Sequence, residues 1–290
     1  MLIAIAALFL FIVVFAYLYI FRIEPRQLRI VRYEIESPRV PASFDGTRIV
    51  QFSDTHVGPH YSLERLSKLA DTVNELKPDI VAFTGDLHDA RRRDNLARFD
   101  PAPALGRIHA PLGKYAVYGN HDFGHSRTMR SAGSFLSRAG FDVLVNASVR
   151  VTREDGAGIV VAGLDDAVVG KPNARKTFAG REKDSFHLLL AHEPDVADGL
   201  TRYPVDLQLS GHSHGGQISL PLFGPIVKTS LGRKYVKGLY RIDERHRAER
   251  PYLLYVNCGI GTTWFPARLG NVPEIAVFTL RTGERSASAR

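Results

Sequence analysis

The sequence predicts an α/β fold that follows one membrane-spanning helix, and three observations indicate this. The first 21 of 290 residues carry no charged side chain. Beyond them, short apolar runs alternate with segments of helical period as far as Gly215, and strand-like runs separated by Gly and Pro follow. Hydrophobic residues make up 44% of the chain and charged residues 23%, which excludes a disordered or fibrous protein.

The N-terminal apolar segment has the length of a membrane span. About 20 apolar residues cross a hydrocarbon core that is roughly 30 Å thick. A cleaved secretory signal is the alternative, but it would begin with basic residues and end in small ones. Here the run ends in the bulky sequence Tyr17-Leu18-Tyr19-Ile20-Phe21, and aromatic residues are typical of the membrane interface. We predict an uncleaved anchor over residues 1–22 and a juxtamembrane linker that leads into a first strand over residues 23–44.

Basic residues follow the predicted anchor closely, and they are Arg22, Arg26, Arg29, Arg32 and Arg39. The positive-inside rule therefore predicts a single-pass protein of the inner (cell) membrane with its large domain on the cytoplasmic side. The whole chain has 38 Lys and Arg against 30 Asp and Glu, a net charge of +8. No nucleic-acid-binding motif accompanies this charge, so attraction to a membrane surface explains it better than nucleic acid does. The single cysteine, Cys258, excludes an intramolecular disulfide.

The predicted large domain covers residues 45–282, and a flexible tail covers residues 283–290. An amphipathic helix is predicted over residues 62–76, because leucine and valine recur at helical spacing and Pro78 follows. Weaker helical segments follow Arg91-Arg92-Arg93, cover residues 126–139 and begin at Pro194. Predicted strands cover residues 49–52, 80–83, 115–118, 158–162, 186–191, 205–209, 218–227, 252–256 and 275–280.

Residues of the kind that bind metals follow directly after five of the predicted strands. They are Asp54, His56, Asp86, Asn120, His192, His212 and His214. The carboxyl ends of parallel strands meet at one edge of a sheet, so we expect these side chains to converge. Carboxylate, amide and imidazole ligands without thiolate suit Mn, Fe or Zn. Seven ligands are too many for one tetrahedral site and fit two ions that share a carboxylate, a pair that generates hydroxide and clamps a phosphoryl group.

The order of these motifs resembles the calcineurin-like metallophosphoesterases. The motifs are Asp54-x-His56, Gly85-Asp86-x-x-Asp89, Gly119-Asn120-His121-Asp122, His192 and Gly211-His212-x-His214. The resemblance covers roughly residues 45–280. It implies a sandwich of two mixed β-sheets flanked by helices. Within that superfamily, the anchor and residues 210–217, 254–261 and 273–275 resemble the membrane-associated bacterial phosphodiesterases.

The resemblance also implies a role for each motif residue. One ion would be held by Asp54, His56, Asp86 and His214, and a second by Asp86, Asn120, His192 and His212. Asp86 would bridge the two ions. His121 would stabilise the transition state or protonate the leaving oxygen, with Asp89 as its orienting partner. Ser/Thr protein phosphatases continue the second motif with Arg-Gly, whereas Ala90-Arg91 stands here, which does not favour a protein phosphatase.

Two alternatives explain the motifs less well. The sequence Gly211-His212-Ser213-His214-Gly215 also matches the nucleophile elbow of serine esterases, which requires a helix after the serine and an acid and a histidine downstream. A strand-like sequence follows instead, and the one later histidine, His246, lies in the charged run 243–250. A non-catalytic metal-binding scaffold would be expected to have lost some of the motif residues, and all of them are present.

We therefore expect hydrolysis of a phosphodiester or pyrophosphate bond by a hydroxide that bridges two ions, and two substrate classes remain open. The anchor and the apolar and basic segment 220–228 favour a lipid-linked substrate at the inner leaflet. The resemblance makes UDP-diacylglucosamine a specific candidate, because some membrane-associated relatives cleave it. A soluble nucleotide diester is the rival. Tyr118 and His125 lie close to the third motif, so a substrate contact by either is open, and no protein partner is implied.

Overall fold

The structure, a computed structural model, describes residues 1–88, 98–123, 130, 132–182, 184–220, 222–242 and 250–283. Four features singled out in the sequence lie outside these residues: Asp89, the run Arg91-Arg92-Arg93, His125 and His246. The same holds for residues 126–129 and 131 of the predicted helix 126–139, and for residues 284–290 of the predicted tail.

The chain begins with helix α1 (Leu2–Leu18), which continues through a wider helical turn over Tyr19–Ile23 and a 3-10 turn over Glu24–Arg26. No residue of α1 is buried. By length and composition, the 25 residues Leu2–Arg26 are able to cross a membrane.

The first sheet contains six strands: β1 (Arg29–Ser37), β2 (Arg48–Phe52), β3 (Ile80–Phe83), β4 (Lys114–Ala116), β5 (Asp142–Val143) and β14 (Glu274–Thr282). Their spatial order is β1-β14-β2-β3-β4-β5. Strand β14 is parallel to β1 and antiparallel to β2, whereas β2, β3, β4 and β5 are all parallel. The loops that follow β2, β3 and β4 therefore leave from the same edge.

The second sheet also has six strands: β6 (Ala147–Thr152), β7 (Gly158–Gly163), β8 (His187–Leu190), β9 (Leu207–Ser210), β12 (Gly238–Ile242) and β13 (Tyr252–Val256). Their order is β12-β13-β9-β8-β7-β6, with parallel pairing from β13 to β7 and antiparallel strands at both edges. A separate hairpin is formed by β10 (Ser219–Leu220) and β11 (Gly224–Pro225).

The helices cover the outer faces of the sheets. Helix α2 (Leu63–Glu75) begins at Ser62, whose hydroxyl accepts the amide hydrogen of Arg65 (3.3 Å) and so caps the first turn. Its buried face packs on the first sheet, together with α3 (Ala102–Gly106) and α4 (Gly133–Arg138). The second sheet carries α5 (Ala174–Thr177) and a 3-10 segment over Pro194–Leu200.

The two sheets pack face to face through a continuous apolar layer. The inner faces contribute aliphatic side chains such as Ile49 and Ile80 from the first sheet and Leu188 and Leu209 from the second. Helices pack on both outer faces, so the molecule has four layers. The predicted sandwich of two mixed sheets flanked by helices is confirmed.

Candidate metal centre

The loops after β2, β3, β4, β8 and β9 meet at one edge of the sandwich, between the carboxyl ends of the two sheets. Backbone hydrogen bonds join them in pairs. The amide of Asp54 donates to the carbonyl of Gly85 (2.9 Å), and the amide of Gly211 donates to the carbonyl of His192 (3.0 Å). The two sheets are joined where the amide of His212 donates to both carboxylate oxygens of Asp54, each at 3.1 Å.

The backbone at this edge is held in unusual conformations. Five non-glycine residues here have positive φ angles, and they are Asp54 (52°), His56 (44°), Asp86 (59°), His212 (68°) and His214 (51°). Such conformations cost free energy for residues with a Cβ, and they concentrate at functional sites that the surrounding fold holds in place. The loops also pack closely at Gly119, because a Cβ atom added to this residue would lie 2.3 Å from Oδ1 of Asp86.

Asp54, His56 and His214 form a first cluster, in which one ligand atom from each lies within 4.8 Å of the others. The Nε2 atoms of His56 and His214 are 3.1 Å apart, and Nε2 of His214 is 3.4 Å from Oδ1 of Asp54. All three side chains are buried. Two ring nitrogens that face each other at this distance need a proton or a cation between them, so the cluster suits a metal ion.

Asp86, His192 and His212 form a second cluster with the same spacing of ligand atoms. The Nδ1 of His192 lies 2.7 Å from the carbonyl of Thr84, and Nε2 of His212 lies 2.7 Å from the carbonyl of Ser230. A carbonyl can only accept, so these two nitrogens carry the protons. When both rings are neutral, the opposite nitrogens, which are 3.2 Å apart, are unprotonated and available to a metal. Without a cation, burial opposes the protonation of His192, but Asp86 and Asp54 outweigh it and raise the pKa of this ring well above its usual value.

Asp86 lies between the two clusters. Its Oδ2 is 3.3 Å from Nε2 of His192 and 3.6 Å from Nε2 of His56, and its Oδ1 accepts the amide hydrogen of His121 (2.8 Å). The neighbouring Asn120 has a buried Oδ1 with no hydrogen-bond partner among the described residues. A buried oxygen without a partner is costly unless something else binds it, as a cation would. The structure thus brings six of the seven predicted ligands together in two clusters. Asn120 directly precedes His121, whose amide binds Asp86. The role of Asn120 and the division of the ligands between two ions stay predictions.

The electrostatics of the centre fit cations. Burial lowers the pKa of His56 to about 3 and that of His212 to about 4, so both rings are in the neutral form that binds metals. Burial opposes the ionisation of Asp86, but His192 and His121 outweigh it and hold the pKa of this carboxyl well below its usual range. Burial raises the pKa of Asp54 to about 7, which is the response of a carboxylate whose charge lacks a balancing cation.

Comparison with known proteins places this centre in a family. The family model of the calcineurin-like phosphoesterases matches residues 47–216, which include all seven candidate ligands. The chain belongs to this family. This phosphoesterase is therefore a metal-dependent hydrolase, and its family typically binds two divalent ions.

Three relatives illustrate the similarity. The Bacillus subtilis metallophosphoesterase YkuE is 41% identical, over 90% of this chain and 88% of its own length. The Chlamydia trachomatis UDP-2,3-diacylglucosamine pyrophosphatase LpxG is 30% identical, over 88% of this chain and 90% of its own length. A zebrafish transmembrane protein with metallophosphoesterase domain is 31% identical over 87% of this chain, which spans 57% of that protein. The N-terminal apolar helix and the names of these relatives suggest that this phosphoesterase associates with a membrane.

His121 lies at the centre but outside both three-residue clusters. Its ring is perpendicular to that of His56, with the ring centroids 4.8 Å apart, and its buried Nδ1 has no partner among the described residues. Asp89, its predicted orienting partner, lies outside the described residues. Tyr118 is buried and its ring faces the guanidinium of Arg130 at 5.4 Å. The structure therefore leaves the roles of His121 and Asp89 as predictions.

The serine-esterase alternative finds no support in the geometry. The hydroxyl of Ser213 donates to the carbonyl of Val236 (2.5 Å). A single 3-10 turn over His214–Gly216 follows it, and then strand β10, where the elbow would require a helix.

Asp122 organises the centre, a role that its sequence motif did not predict. It is fully buried, and its carboxylate accepts the amide hydrogens of Asp86 (2.8 Å), Leu87 (2.8 Å) and Gly119 (2.9 Å). It therefore joins the loop after β3 to the loop after β4. The sequence signal was its place directly after Asn120-His121, where it ends a 3-10 turn.

We expect Asp122→Asn to weaken Mn²⁺ binding by about 10- to 100-fold, which is typical for residues that orient metal ligands. The asparagine Nδ2 would face amide donors that need an acceptor, so the loop carrying Asp86 would shift. Isothermal titration with Mn²⁺ measures the effect. Asp198→Asn, which removes an exposed carboxylate paired with Lys234, is the matched control. Unchanged Mn²⁺ affinity in Asp122→Asn would show that this carboxylate does not position the ligands.

Arg268 is the second residue that the sequence analysis did not single out. Its guanidinium is fully buried and donates to the carbonyls of Cys258 (2.9 Å), Gly259 (3.0 Å), Gly261 and Asn271 (2.7 Å). This loop after β13 supports the first cluster, because the amide of Gly261 donates to the carbonyl of Asp54 (2.7 Å). No local signal distinguishes such an arginine from one on a surface loop.

Proposed function

We propose that this chain is a membrane-anchored phosphoesterase that hydrolyses a phosphodiester or pyrophosphate bond of a lipid-linked substrate, with its catalytic domain on the cytoplasmic side. An apolar surface close to the metal centre and to the anchor is the observation that carries the lipid assignment. The arginines that follow the anchor support the orientation.

This surface, called here the apolar rim, consists of Leu222, Phe223, Ile226 and Trp264. These side chains are 103%, 84%, 60% and 72% exposed, respectively. The first three lie in the turn of the β10–β11 hairpin or directly after it, and a short segment, residues 215–218, joins this hairpin to His214. Gln217 joins the hairpin to the loop that carries Trp264, because its Nε2 donates to the carbonyls of Thr263 (3.0 Å) and Phe265 (3.2 Å). Exposed apolar patches of this kind mark interaction surfaces.

The apolar rim is connected to the end of the anchor. Arg268, four residues after Trp264, donates its amide hydrogen to the carbonyl of Ile20 (3.0 Å). Trp is enriched at membrane interfaces, where one part of its ring contacts lipid and the other contacts water. The rim would therefore meet the bilayer near the point at which the chain leaves it, and acyl chains would rest on it while a phosphate reaches the centre.

The name of the Chlamydia relative supports a specific candidate. LpxG is named a UDP-2,3-diacylglucosamine pyrophosphatase, and the similarity to this chain extends along 90% of its length. We propose UDP-2,3-diacylglucosamine as the lipid to test first.

The chain supplies binding and proton transfer. Two divalent ions (Mn, Fe or Zn) would provide the nucleophile near neutral pH and neutralise the phosphoryl oxygens. Asp54, His56 and His214 would hold one ion, and Asn120, His192 and His212 the other, with Asp86 shared. His121 would donate a hydrogen bond to the phosphoryl group or a proton to the leaving oxygen. The backbone contacts between the loops keep these groups preorganised.

A substrate panel on the full chain in detergent micelles tests the proposal. We expect chelation to abolish turnover and Mn²⁺ or Zn²⁺ to restore it, with kcat/KM for UDP-2,3-diacylglucosamine at least about tenfold above that for cyclic and linear nucleotides. Turnover of soluble nucleotides alone would reject the lipid part of the proposal. Full activity after exhaustive chelation would reject the two-ion centre.

The apolar rim offers a sharper form of the same test. Burial of an apolar side chain against bound lipid contributes about 1.5–3 kcal/mol, so Leu222→Ser/Phe223→Ser should lower the ratio of lipid to soluble-diester kcat/KM at least about tenfold. Leu239→Ser, on β12, removes a leucine that is 39% exposed and is the matched control. An unchanged ratio in the double variant would show that lipid does not lie on the rim.

A further inference from the structure

A cavity of about 460 Å³ lies where the anchor meets the catalytic domain. The anchor contributes Tyr17, Phe21, Arg22 and Arg26 to its lining, and the domain contributes His60 and Arg65. We call it the junction cavity. Neither the metal ligands nor the apolar rim line it.

The walls of the junction cavity are fixed by contacts between the anchor and the domain. Arg65 donates from Nη2 to the carbonyl of Pro25 (2.6 Å), and the amide of Asn271 donates to Oε1 of Glu24 (2.7 Å). Glu24 is buried, although glutamate side chains are usually exposed. Together with the bond from Arg268 to the carbonyl of Ile20, these contacts hold the end of the anchor on the domain at three points. The cavity is therefore a built feature of the fold.

The charge of the junction cavity is strongly positive and lacks a counterion. No carboxylate among the described residues pairs with Arg22, Arg26 or Arg65, whereas the nearby Arg29 is paired with Glu274 (2.5 Å). The first turn of α2, through Ser62 and Arg65, also lines the cavity and adds the positive end of a helix dipole. Burial lowers the pKa of Arg65, which shows the cost of a guanidinium that no anion offsets.

The other wall of the cavity is aromatic and continues the apolar helix. The rings of Tyr17 and Phe21 stack with their centroids 4.9 Å apart, at the level where the hydrophobic span ends. A ligand that is complementary to both the arginine wall and the aromatic wall would carry an anionic group at one end and an apolar part at the other.

We propose that the junction cavity binds the phosphate group of an anionic glycerophospholipid between Arg22, Arg26 and Arg65, with the acyl chains along Tyr17 and Phe21. A membrane lipid is favoured over free phosphate because residues at the end of the apolar helix line the cavity and two of them, Tyr17 and Phe21, offer stacked aromatic rings beside the arginines. Lipid binding at this site requires neither the metal ions nor turnover, so it can be tested separately from the proposed function.

Native mass spectrometry of the full chain, released from detergent micelles, tests the proposal. Phosphatidylglycerol and phosphatidylcholine with the same acyl chains are the probes. We expect one phosphatidylglycerol to be retained in preference to phosphatidylcholine, and Arg22→Gln/Arg26→Gln to weaken its binding about tenfold or more, because two charges near the phosphate are lost.

Two control variants and one further probe, inorganic phosphate, complete the test. Arg22→Lys/Arg26→Lys keeps both charges and should retain the lipid, which separates charge from folding. Arg32→Gln removes an exposed arginine of β1 outside the cavity and should bind as the wild type does. Equal retention of phosphatidylglycerol by wild type and Arg22→Gln/Arg26→Gln, or equal retention of both lipids, would overturn the proposal. Arginine-dependent retention of inorganic phosphate without a lipid preference would overturn the lipid assignment.

Discussion

Replacing Asp86 with alanine is expected to empty the metal centre and to lower turnover by about 10³-fold or more. The reason is its position, because Oδ2 of Asp86 lies 3.3 Å from Nε2 of His192 and 3.6 Å from Nε2 of His56. No other described carboxylate lies between the two clusters in this way. Loss of this carboxylate would remove a ligand from both predicted ions at once. Metal content by inductively coupled plasma mass spectrometry and kcat on a chromogenic diester measure the two effects.

A second substitution separates the effect of the volume of the Asp86 side chain from the effect of its charge. Asp86→Asn keeps the volume and one oxygen, so it should retain more metal than Asp86→Ala while it still loses most of the activity. Asp198→Ala removes an exposed carboxylate far along the chain and should change neither quantity. An Asp86→Ala protein that still carries two ions would contradict a shared carboxylate.

Replacing His121 with alanine is expected to lower turnover by about 10²- to 10⁴-fold while the metal content stays at the wild-type level. This range is the usual contribution of a general acid. The side chain of His121 belongs to neither cluster, and its buried Nδ1 has no partner among the described residues. The residue is thus available to substrate. Metal content and kcat are measured as for Asp86.

The leaving group provides a second measurement for His121. A general acid matters most for a poor leaving group, so His121→Ala should impair an alkyl phosphodiester far more than a nitrophenyl diester. His109→Ala removes an exposed histidine distant from the centre and serves as the control. Loss of metal from His121→Ala would assign this residue to the ligands, and equal impairment of both substrates would argue against proton donation.

The central strands were predictable because their sequences carry the signal locally. The predicted strands 80–83 and 252–256 coincide with β3 and β13, since both are apolar runs with turn residues or proline nearby. Helix α2 agrees within one residue at each end, because its cap and apolar spacing are local too. Strands β6 and β12 were not predicted. They are edge strands with alternating or half-exposed side chains, which give a weak apolar signal.

The partner of the first strand could not be predicted from the sequence. Residues 29–37 fall within the segment 23–44, predicted as a linker and entry strand, and the structure pairs them with β14. That pairing joins Arg29 to Glu274, two residues with no local relation in sequence. The division into linker and domain stays a prediction.

The candidate ligands were predictable for a different reason. They follow apolar strands directly, and the topology of parallel strands brings such positions together. Asp122 and Arg268 act on the backbone of other loops instead, so their roles depend on tertiary contacts that the sequence does not display. A fully buried arginine in particular runs against the usual expectation that arginine is exposed.

A ribosome that makes this chain releases the anchor and β1 long before β14 emerges. Among the described strands, β1 is hydrogen-bonded only to β14, which also covers the free edge of β2. Until β14 has been made, β1 therefore has no strand partner and the edge of β2 stays unpaired, and such edges invite aggregation. An anchor already inserted in the membrane would hold the nascent domain apart from its neighbours during this interval. The N-terminal helix would then assist the folding of the domain as well as hold it at the membrane.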